Sequence, residues 1–360
     1  MRTDDFSFEL PEELIAQHPA AHRGESRLMI LDRTTGAWQH EMVSRLADYI
    51  ESGTVMVFND SRVRKARIYG IAQDTGAKTE FLLLKRLPAA SAAEAGGARW
   101  EAQTTKLRKQ RPGRRYSLPE GVTAIVEGPG ELSVEGQFDT IRLHFEPAID
   151  DAYLERSGHV PLPLYIKRDD EAEDEERYQT VYSKEIGSAA CPTAGLHFTD
   201  ELLARLDERG VRRTTVTLHV GLGTFLPVRS ENIEDHAMHE EEYTVPDATV
   251  AEVMAAKTEG RPVLAVGTTS MRTLESAWEG GLAGAGGRLR AGHGSTRIFI
   301  YPGYRFKAVD KLFTNFHTPK STLLMLVSAF AGRDHILSAY EEAVRERYRF
   351  FSYGDAMLIK

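Results

Sequence analysis

The stretch PVLAVGTTSMRTLESAW, residues 262–278, decides the fold class of this chain. Its first part, Pro262–Val266, is a short apolar run that predicts a buried strand. A tight turn follows, and the segment Ser270–Trp278 is predicted to be a helix. A buried strand that is joined by a turn to a helix is the unit from which α/β layer structures are built.

The same alternation of strands and helices extends from residue 177 onward. The other predicted elements are strands at Arg213–Val220 and Thr296–Tyr301, a helix capped by Thr199 that runs to Glu208, and a helix from Thr318-Pro319 to Gly332. This half of the chain is therefore expected to form an α/β layer structure.

Residues 62–150 have a different character, with short runs of Val, Ile, Leu, Phe and Thr between glycine, proline and polar turns. The strand-like runs are Ala66–Ile71, Glu80–Leu84, Thr123–Val126 and Thr140–Phe145. Short strands at this spacing predict a small barrel or sandwich. A chain of 360 residues is long for one core, which agrees with two domains.

Composition excludes several classes of protein. A net charge of −8 argues against a chain coated with positive charge, although nucleic-acid binding needs only one basic face. No apolar run reaches the roughly 20 residues of a membrane-spanning helix, and the acidic N-terminus does not read as a signal peptide. The single cysteine, Cys191, fits a reducing compartment. We therefore expect a cytoplasmic protein without a membrane span.

Charge is unevenly distributed along the chain. Six basic side chains lie close together: Lys106, Arg108, Lys109, Arg111, Arg114 and Arg115. Two interpretations of this cluster have equal weight, a charged strand edge and a phosphate-binding loop. The run 169–176 holds seven acids in eight positions and predicts a solvated loop.

Four loops lie where α/β proteins bind ligands, beyond the carboxyl ends of strands. They are CPTAGLHF (191–198), HVGLGTF (219–225), GTTS (267–270) with Arg272 behind it, and NFH (315–317). The third loop suits a carboxylate or phosphate, although an ordinary helix cap is the commoner reason for such a sequence. The glycines of the second loop do not form a dinucleotide fingerprint, because the third glycine is missing.

Two further patterns predict no special chemistry. The segment 236–241 holds two histidines and two glutamates, but it lacks the spacing of a metal site, so we expect no metal. Cys191 with His197 would suit a thiol nucleophile, yet a lone cysteine is more often a small buried hydrophobe. The residues alone indicate a two-domain α/β enzyme without identifying its reaction.

At these loops the chain resembles the S-adenosylmethionine:tRNA ribosyltransferase-isomerase family of queuosine synthesis. The matching segments are LPEELIAQHP (10–19) with RL (27–28), NDSRV (59–63), YQTVY (178–182), PTAGLHF (192–198), HVGLGTF (219–225), MHxE (238–241), VGTTSMR (266–272), IFIYPG (298–303), TNFHT (314–318), MLVSAFAG (325–332) and YGDAM (353–357). They follow the family's order over nearly the whole chain. Cys191, Glu240, Met271 and the glycine-rich segment 280–294 depart from the family pattern.

The resemblance implies an α/β catalytic domain with an inserted small β-barrel-like domain. Together with the change in composition near residues 62 and 150, it predicts a discontinuous catalytic domain of residues 1–61 and 151–360 around an inserted domain of residues 62–150. We also expect a monomer that needs neither a metal nor another cofactor, although the sequence carries no signal for the oligomeric state.

The implied reaction moves the ribosyl part of S-adenosylmethionine to 7-aminomethyl-7-deazaguanine at the wobble position of a tRNA anticodon. The ribosyl group is isomerised, which gives epoxyqueuosine-tRNA and releases adenine and methionine. S-adenosylmethionine is therefore a consumed co-substrate.

This chemistry needs a base near the C5′ protons beside the sulfonium, and we expect His219, then His197, with Glu241 as the carboxylate alternative. Aromatic faces suit the sulfonium cation of S-adenosylmethionine. The carboxylate of its methionine part fits the turn 267–272. The residues expected to bind substrate are Asn59, Asp60, Arg62, Thr193, Gly195, Phe198, Gly221, Gly223, Thr224, Phe225, His239, Thr268, Thr269, Ser270, Arg272, Tyr301, Asn315 and His317. The basic cluster 106–115 is expected to bind the tRNA.

Two other functions stay open from the sequence. A conventional S-adenosylmethionine methyltransferase is disfavoured because no glycine fingerprint follows an early strand. A non-catalytic RNA-binding module would use the barrel and the basic cluster, but it would leave the histidine- and glycine-rich loops without a role. The products formed from S-adenosylmethionine separate these possibilities.

Overall fold

The computed structural model describes residues 1–88, 98–104, 107–130, 140–221, 228 and 230–360, with the backbone alone at residue 108. The chain divides into two compact units. The first unit consists of Met1–Arg62, Pro163–Asp169 and Glu176–Lys360, and the second consists of Val63–Leu162 and Asp170–Glu175. The domain boundaries after residues 61 and 150 stay a prediction from the sequence.

The described strands are numbered in chain order. They are β1 (Arg27–Leu31), β2 (Trp38–Met42), β3 (Val55–Asn59), β4 (Ser61–Val63), β5 (Arg67–Ala72), β6 (Lys78–Arg86), β7 (Arg99–Gln103), β8 (Arg115–Ser117), β9 (Thr123–Pro129), β10 (Thr140–Glu146), β11 (Glu185–Ser188), β12 (Arg212–Leu218), β13 (Glu241–Val245), β14 (Val263–Val266), β15 (Trp278–Glu279), β16 (Arg288–Leu289), β17 (Gly292–Thr296), β18 (Lys311–Asn315) and β19 (Ala356–Ile359).

The described α-helices are α1 (Asp151–Ser157), α2 (Asp174–Arg177), α3 (Asp200–Glu208), α4 (Asp247–Glu259), α5 (Gly267–Ala277), α6 (Thr322–Ala331) and α7 (Arg333–Arg345). Short 3₁₀ helices lie at Thr3–Phe6, Glu12–Leu14, Val43–Tyr49, Leu107–Lys109, Pro119–Gly121, Thr193–His197 and Ile233–Asp235. Among these described helices, none has the length and apolar character needed to cross a membrane.

Nine of the described strands form one mixed sheet in the first unit, in the order β17-β13-β12-β3-β14-β18-β19-β1-β2. The four neighbours β12, β3, β14 and β18 are parallel to one another. Their carboxyl ends therefore lie along one edge of the sheet, at Leu218, Asn59, Val266 and Asn315. Ligands of open α/β sheets bind outside this edge.

Strand β3 shows why the sheet is buried on both faces. All five of its residues are buried, and side chains alternate between the two faces of a strand. Val55 and Val57 belong to a core with residues of α4, α5, α6 and α7. Met56 and Phe58 belong to a second core with residues of α3 and the 3₁₀ helix Val43–Tyr49. Helices thus cover both faces, as the predicted α/β layer structure requires.

Six described strands of the second unit form a closed barrel in the order β10-β7-β6-β5-β8-β9. Each neighbouring pair is antiparallel. Its interior is filled by fully buried aromatic side chains that include Phe81, Trp100, Tyr116 and Phe145. An α/β domain with a small β-barrel is therefore confirmed.

The fold-deciding stretch is confirmed as a strand and a helix, but without the predicted turn. Strand β14 ends at Val266 and α5 begins at Gly267, so residues 267–269 form the first turn of the helix. Gly267 has a φ of +87°, a conformation that favours glycine. The absence of a Cβ at this position allows strand and helix to meet without a connecting loop.

Two other predicted boundaries are wrong for local reasons. A strand was predicted at Thr296–Tyr301, but the observed strand β17 covers Gly292–Thr296 and ends where the predicted one begins. Beyond it, the Ile298 N–H donates to the Thr296 hydroxyl at 3.0 Å rather than to another strand. The helix predicted from Thr318 begins at Thr322, because Lys320 has a φ of +59° and Ser321 supplies the cap. The predicted Thr199 cap of α3 is confirmed, since its hydroxyl accepts from the Leu202 N–H.

Candidate functional site

A cleft lies at the carboxyl edge of the parallel strands in the first unit. It holds about 600 Å³ of empty space, open solvent included. Its lining residues are Tyr165, Cys191, Pro192, Thr193, Ala194, Val220, Gly267, Thr268, Thr269, Thr314, Asn315, Phe316, His317, Thr318, Leu323, Phe351 and Ser352. The cleft thus combines parts of all four loops that the sequence singled out.

Five of the predicted substrate-binding residues line this cleft: Thr193, Thr268, Thr269, Asn315 and His317. The second loop contributes Val220, which lies directly after the predicted base His219. Three further predicted residues of that loop, Gly223, Thr224 and Phe225, lie outside the residues that the structure describes.

Asn315, at the end of β18, links the cleft to His197. Its Nδ2 donates to His197 Nε2 at 3.1 Å and to the Phe351 carbonyl at 3.1 Å. Its Oδ1 accepts from the Thr193 hydroxyl at 3.2 Å. Burial, reinforced by the charges of Arg23 and Arg349, lowers the pKa of His197 to about 3. His197 is therefore neutral, and its Nε2 lone pair is engaged by Asn315.

His317 reaches the cleft itself. Its Nε2 lies 3.0 Å from the Thr314 hydroxyl, and its backbone N–H donates to the Tyr340 hydroxyl at 3.0 Å. Burial lowers the pKa of His317 to about 3. The cleft therefore presents a fixed neutral imidazole, which can donate or accept a hydrogen bond without adding charge.

Glu241 and Arg272 form an ion pair at the start of β13. Both side chains are buried, with exposures of 4% for Glu241 and 2% for Arg272. Glu241 Oε1 also accepts from the Gly221 N–H at 3.2 Å, while its Oε2 accepts from Arg272 Nη1. The pair consequently holds the backbone of Gly221, which follows the cleft residue Val220.

Asn59 and Asp60 hold the carboxyl ends of the strands together. Asn59 Nδ2 donates to the Leu218 carbonyl at 3.0 Å, and Oδ1 accepts from the Leu218 N–H at 3.0 Å. Asn59 Nδ2 also lies 3.3 Å from the Thr269 hydroxyl. Asp60 Oδ1 accepts from the Thr217 hydroxyl at 2.7 Å. Both side chains are buried in these contacts and position β12 against β3 and α5.

Three predicted substrate contacts need correction because the side chains or backbone pack elsewhere. Phe198 is fully buried and packs edge-on against Phe58 and Phe313, so it belongs to the core and forms no wall of the cleft. An added Cβ on Gly195 would lie 2.0 Å from the Tyr182 hydroxyl, so that glycine makes room for a tyrosine. The Ser270 hydroxyl donates to the Val266 carbonyl one turn back, so it neither caps α5 nor faces a ligand.

His219 lies just after β12 and is half-buried. Its backbone N–H donates to the Glu242 carbonyl at 3.2 Å. An added Cβ on Gly187 would lie 2.7 Å from the imidazole Cε1, so the ring rests against a glycine backbone. His219 itself does not line the cleft, but it adjoins Val220, which does.

Arg62, His239 and Tyr301 are also absent from the lining of the cleft. Arg62 is exposed, with its Nη1 3.4 Å from the Ser183 hydroxyl. His239 is half-buried, and its pKa is lowered mainly by burial. Tyr301 packs on Phe299, with ring centroids 5.0 Å apart.

The cleft also contains residues that the sequence reasoning missed. Tyr165 and Phe351 form an aromatic wall with ring centroids 4.7 Å apart, and the Tyr165 hydroxyl bonds the Ser352 hydroxyl. Phe351 and Ser352 directly precede the family motif at residues 353–357, which could have drawn attention to them. Tyr165 lies in no recognised motif. Cys191 lines the cleft, but burial raises the pKa of its thiol, so it is not a thiolate.

The basic cluster lies in the second unit and splits into paired and unpaired side chains. Arg114 pairs with Asp74 at 3.1 Å, and Arg115 pairs with Glu146 at 3.0 Å. Lys109 and Arg111 are exposed and form no ion pair with any residue in the described ranges. Lys106 and the side chain of Arg108 lie outside those ranges. No cluster suited to a metal ion occurs among the described residues.

Comparison with known proteins shows the family of this chain. Residues 3–359 match the model of the queuosine biosynthesis protein family. A protein from Treponema denticola named S-adenosylmethionine:tRNA ribosyltransferase-isomerase is 49% identical over 360 residues, with both chains covered completely. A protein of the same name from Geobacter metallireducens is also 49% identical over 360 residues, with 100% of both chains covered.

A solved structure agrees as well. The crystal structure of S-adenosylmethionine tRNA ribosyltransferase from Thermotoga maritima is 36% identical, covers 99% of this chain and 100% of its own, and has a TM-score of 0.54. The resemblance found from the sequence motifs is thereby confirmed. This chain belongs to the queuosine biosynthesis protein family.

Proposed function

We propose that this chain is an S-adenosylmethionine:tRNA ribosyltransferase-isomerase. It transfers the ribosyl moiety of S-adenosylmethionine to 7-aminomethyl-7-deazaguanine at the wobble position of the tRNA anticodon and isomerises it. The products are epoxyqueuosine-tRNA, adenine and methionine. The observation that carries this function is the full-length identity of 49% to relatives that bear this name.

The cleft of the first unit binds S-adenosylmethionine. Its aromatic wall of Tyr165 and Phe351 suits a flat adenine. Asn315 and the neutral His317 provide hydrogen-bonding groups along the same cleft. A neutral imidazole suits this role, since it binds a ring nitrogen of the leaving adenine without repelling the nearby sulfonium.

His219 acts as the base that removes a C5′ proton. It is half-buried and adjoins the cleft residue Val220. His197 accepts the hydrogen bond from Asn315, and Glu241 is ion-paired with Arg272. In this proposal His197 positions Asn315, and Glu241 positions Arg272.

The tRNA backbone is bound through the basic cluster, chiefly by Lys109 and Arg111. Both are exposed and free of ion pairs with described residues, so binding a phosphate breaks no existing pair. S-adenosylmethionine is the only small co-substrate in this scheme, and no metal takes part. The chain works as a monomer in the cytoplasm, where its tRNA substrate is found.

Product analysis tests this function. Purified protein, S-adenosylmethionine and tRNA carrying the aminomethyl-deazaguanine base should yield equal amounts of free adenine and methionine in the presence of a chelator. S-adenosylhomocysteine as the product would instead identify a methyltransferase. Binding of tRNA without any turnover of S-adenosylmethionine would identify an RNA-binding module.

A further inference from the structure

We propose that the Arg272 guanidinium anchors the α-carboxylate of S-adenosylmethionine, with the buried Glu241 holding the guanidinium in place. This inference rests on the proposed function, since it concerns the amino-acid end of the same co-substrate. It assigns that end to a side-chain ion pair, whereas the sequence pointed to the backbone N–H groups and hydroxyls of the turn at residues 267–272, with Arg272 adding charge.

The first support is a buried guanidinium with unused donors. Arg272 is 2% exposed, and its Nη1 donates to Glu241 Oε2. Its Nε and Nη2 are also buried, and neither has a hydrogen-bond partner among the residues that the structure describes. Leaving buried donors of a charged group unsatisfied is costly, so this arrangement favours a ligand that accepts from both atoms.

The second support is the position of Arg272 on α5. It lies four residues after Thr268, so both side chains project from the same face of the helix. Thr268 and Thr269 line the cleft one turn earlier. Glu241, the partner of Arg272, also accepts from the N–H of Gly221, which follows the cleft residue Val220. The pair of Arg272 and Glu241 is therefore adjacent to the loop after β12 that supplies Val220, although neither residue is among those that line the cleft.

The charges identify the chemical class of the ligand group. Nε and Nη2 lie on one edge of the guanidinium, a geometry that binds the two oxygens of a carboxylate in parallel. Glu241 neutralises Arg272, so the pair carries no net charge and does not favour a doubly charged phosphate. An α-amino acid matches this pair, since its carboxylate faces the guanidinium and its ammonium is attracted to the Glu241 charge.

Binding of two ligands tests the assignment. S-adenosylmethionine and its decarboxylated form share the sulfonium, the ribose and adenine and differ in the carboxylate. The wild-type chain should bind the decarboxylated form about 10- to 100-fold more weakly in calorimetry, the range for hydrogen bonds to charged groups. Arg272→Gln should weaken binding of S-adenosylmethionine by a similar factor and leave binding of the decarboxylated form within about threefold.

Controls separate this contact from general damage to the fold. Arg272→Gln leaves Glu241 buried without its partner, so the double variant Arg272→Gln with Glu241→Gln repeats the test with neither charge present. Arg297→Gln with Glu240→Gln is the matched control, because it removes an Arg–Glu pair from the surface nearby in the sequence. That control should keep the full discrimination between the two ligands.

Equal affinity of the wild-type chain for the two ligands would overturn the assignment without any variant. A folded Arg272 variant that loses the same factor of affinity for both ligands would also overturn the assignment, since the effect would not depend on the carboxylate. A wild-type chain that binds neither ligand would contradict the proposed function itself, which is a different result.

Discussion

Asn315 Nδ2 lies 3.1 Å from His197 Nε2 and joins two segments that are 118 residues apart in the sequence. The same amide accepts from the Thr193 hydroxyl, and both Thr193 and Asn315 line the cleft. His197 therefore affects the cleft through Asn315 and keeps the amide in one orientation. A buried network of this kind is sensitive to the loss of any member.

Replacing Asn315 should damage catalysis. Asn315→Ala removes the hydrogen bonds to His197, Thr193 and the Phe351 carbonyl, so kcat/KM for S-adenosylmethionine should fall by at least about tenfold. Asn232→Ala is the matched control, since Asn232 is exposed and its side-chain amide donates to the Asp235 carboxylate. A kcat/KM for Asn315→Ala within twofold of wild type would mean that this network does not shape the cleft.

The low pKa of His197 predicts a pH dependence of stability. The imidazole stays neutral in the folded chain down to about pH 3, while in the unfolded chain it takes up a proton below its ordinary pKa of 6.5. The unfolded state therefore binds more protons between these values, and stability is lost as the pH falls through this window. One such proton changes the free energy of unfolding by about 1.4 kcal/mol per pH unit.

His197→Gln checks this dependence because its amide oxygen can accept from Asn315 but does not titrate. Urea unfolding at pH 7, 6 and 5 should show a shallower loss of stability in the variant than in wild type. His317 remains in both proteins and contributes equally to both slopes. Parallel stability curves would show that His197 is not buried in its neutral form.

Sequence reasoning succeeded where one segment carries its own signal. The apolar run of β14 predicted a strand, and the short strands of residues 62–150 predicted a small barrel or sandwich, of which the structure shows the barrel. Thr193, Asn315 and His317 line the cleft, and the sequence singled them out because they lie in loops that follow strands or carry recognised motifs; their role in binding substrate stays a prediction. Local pattern and family motifs were sufficient for these residues.

The remaining errors concern properties that only packing decides. The motif PTAGLHF (192–198) does not reveal that the ring of Phe198 packs in the core against Phe58 and Phe313. Tyr165 reaches the cleft from a segment without any motif, and its partner Ser352 lies 187 residues away. The ion pair of Glu241 with Arg272 joins two motifs whose contact the sequence does not reveal.

His219 is the residue whose replacement should separate binding from chemistry. His219→Gln should still bind S-adenosylmethionine, but the single-turnover rate should fall at least about a hundredfold, the low end for general acid–base catalysis. His293→Gln is the control, because His293 is an exposed histidine on β17. Turnover by His219→Gln within a few-fold of wild type would exclude His219 as the base.

Lys109 and Arg111 should govern the salt dependence of tRNA binding. Replacing both with alanine removes two phosphate contacts, so the log–log slope of affinity against salt should flatten by about two units. Affinity for S-adenosylmethionine should not change. Arg156→Ala removes an exposed arginine that pairs with Glu120 in the same unit, and its slope should match wild type. An unchanged slope in the double variant would mean that the cluster is only a charged strand edge.

The most direct test of the central claim follows the ribose of S-adenosylmethionine. Two preparations, one labelled in the ribose and one in the methyl group, are incubated separately with the protein and tRNA carrying the aminomethyl-deazaguanine base. The ribose label should enter the tRNA in equal amount to the adenine released, while the methyl label should be recovered in free methionine. Methyl label in the tRNA, or adenine release without ribose label in the tRNA, would contradict the account.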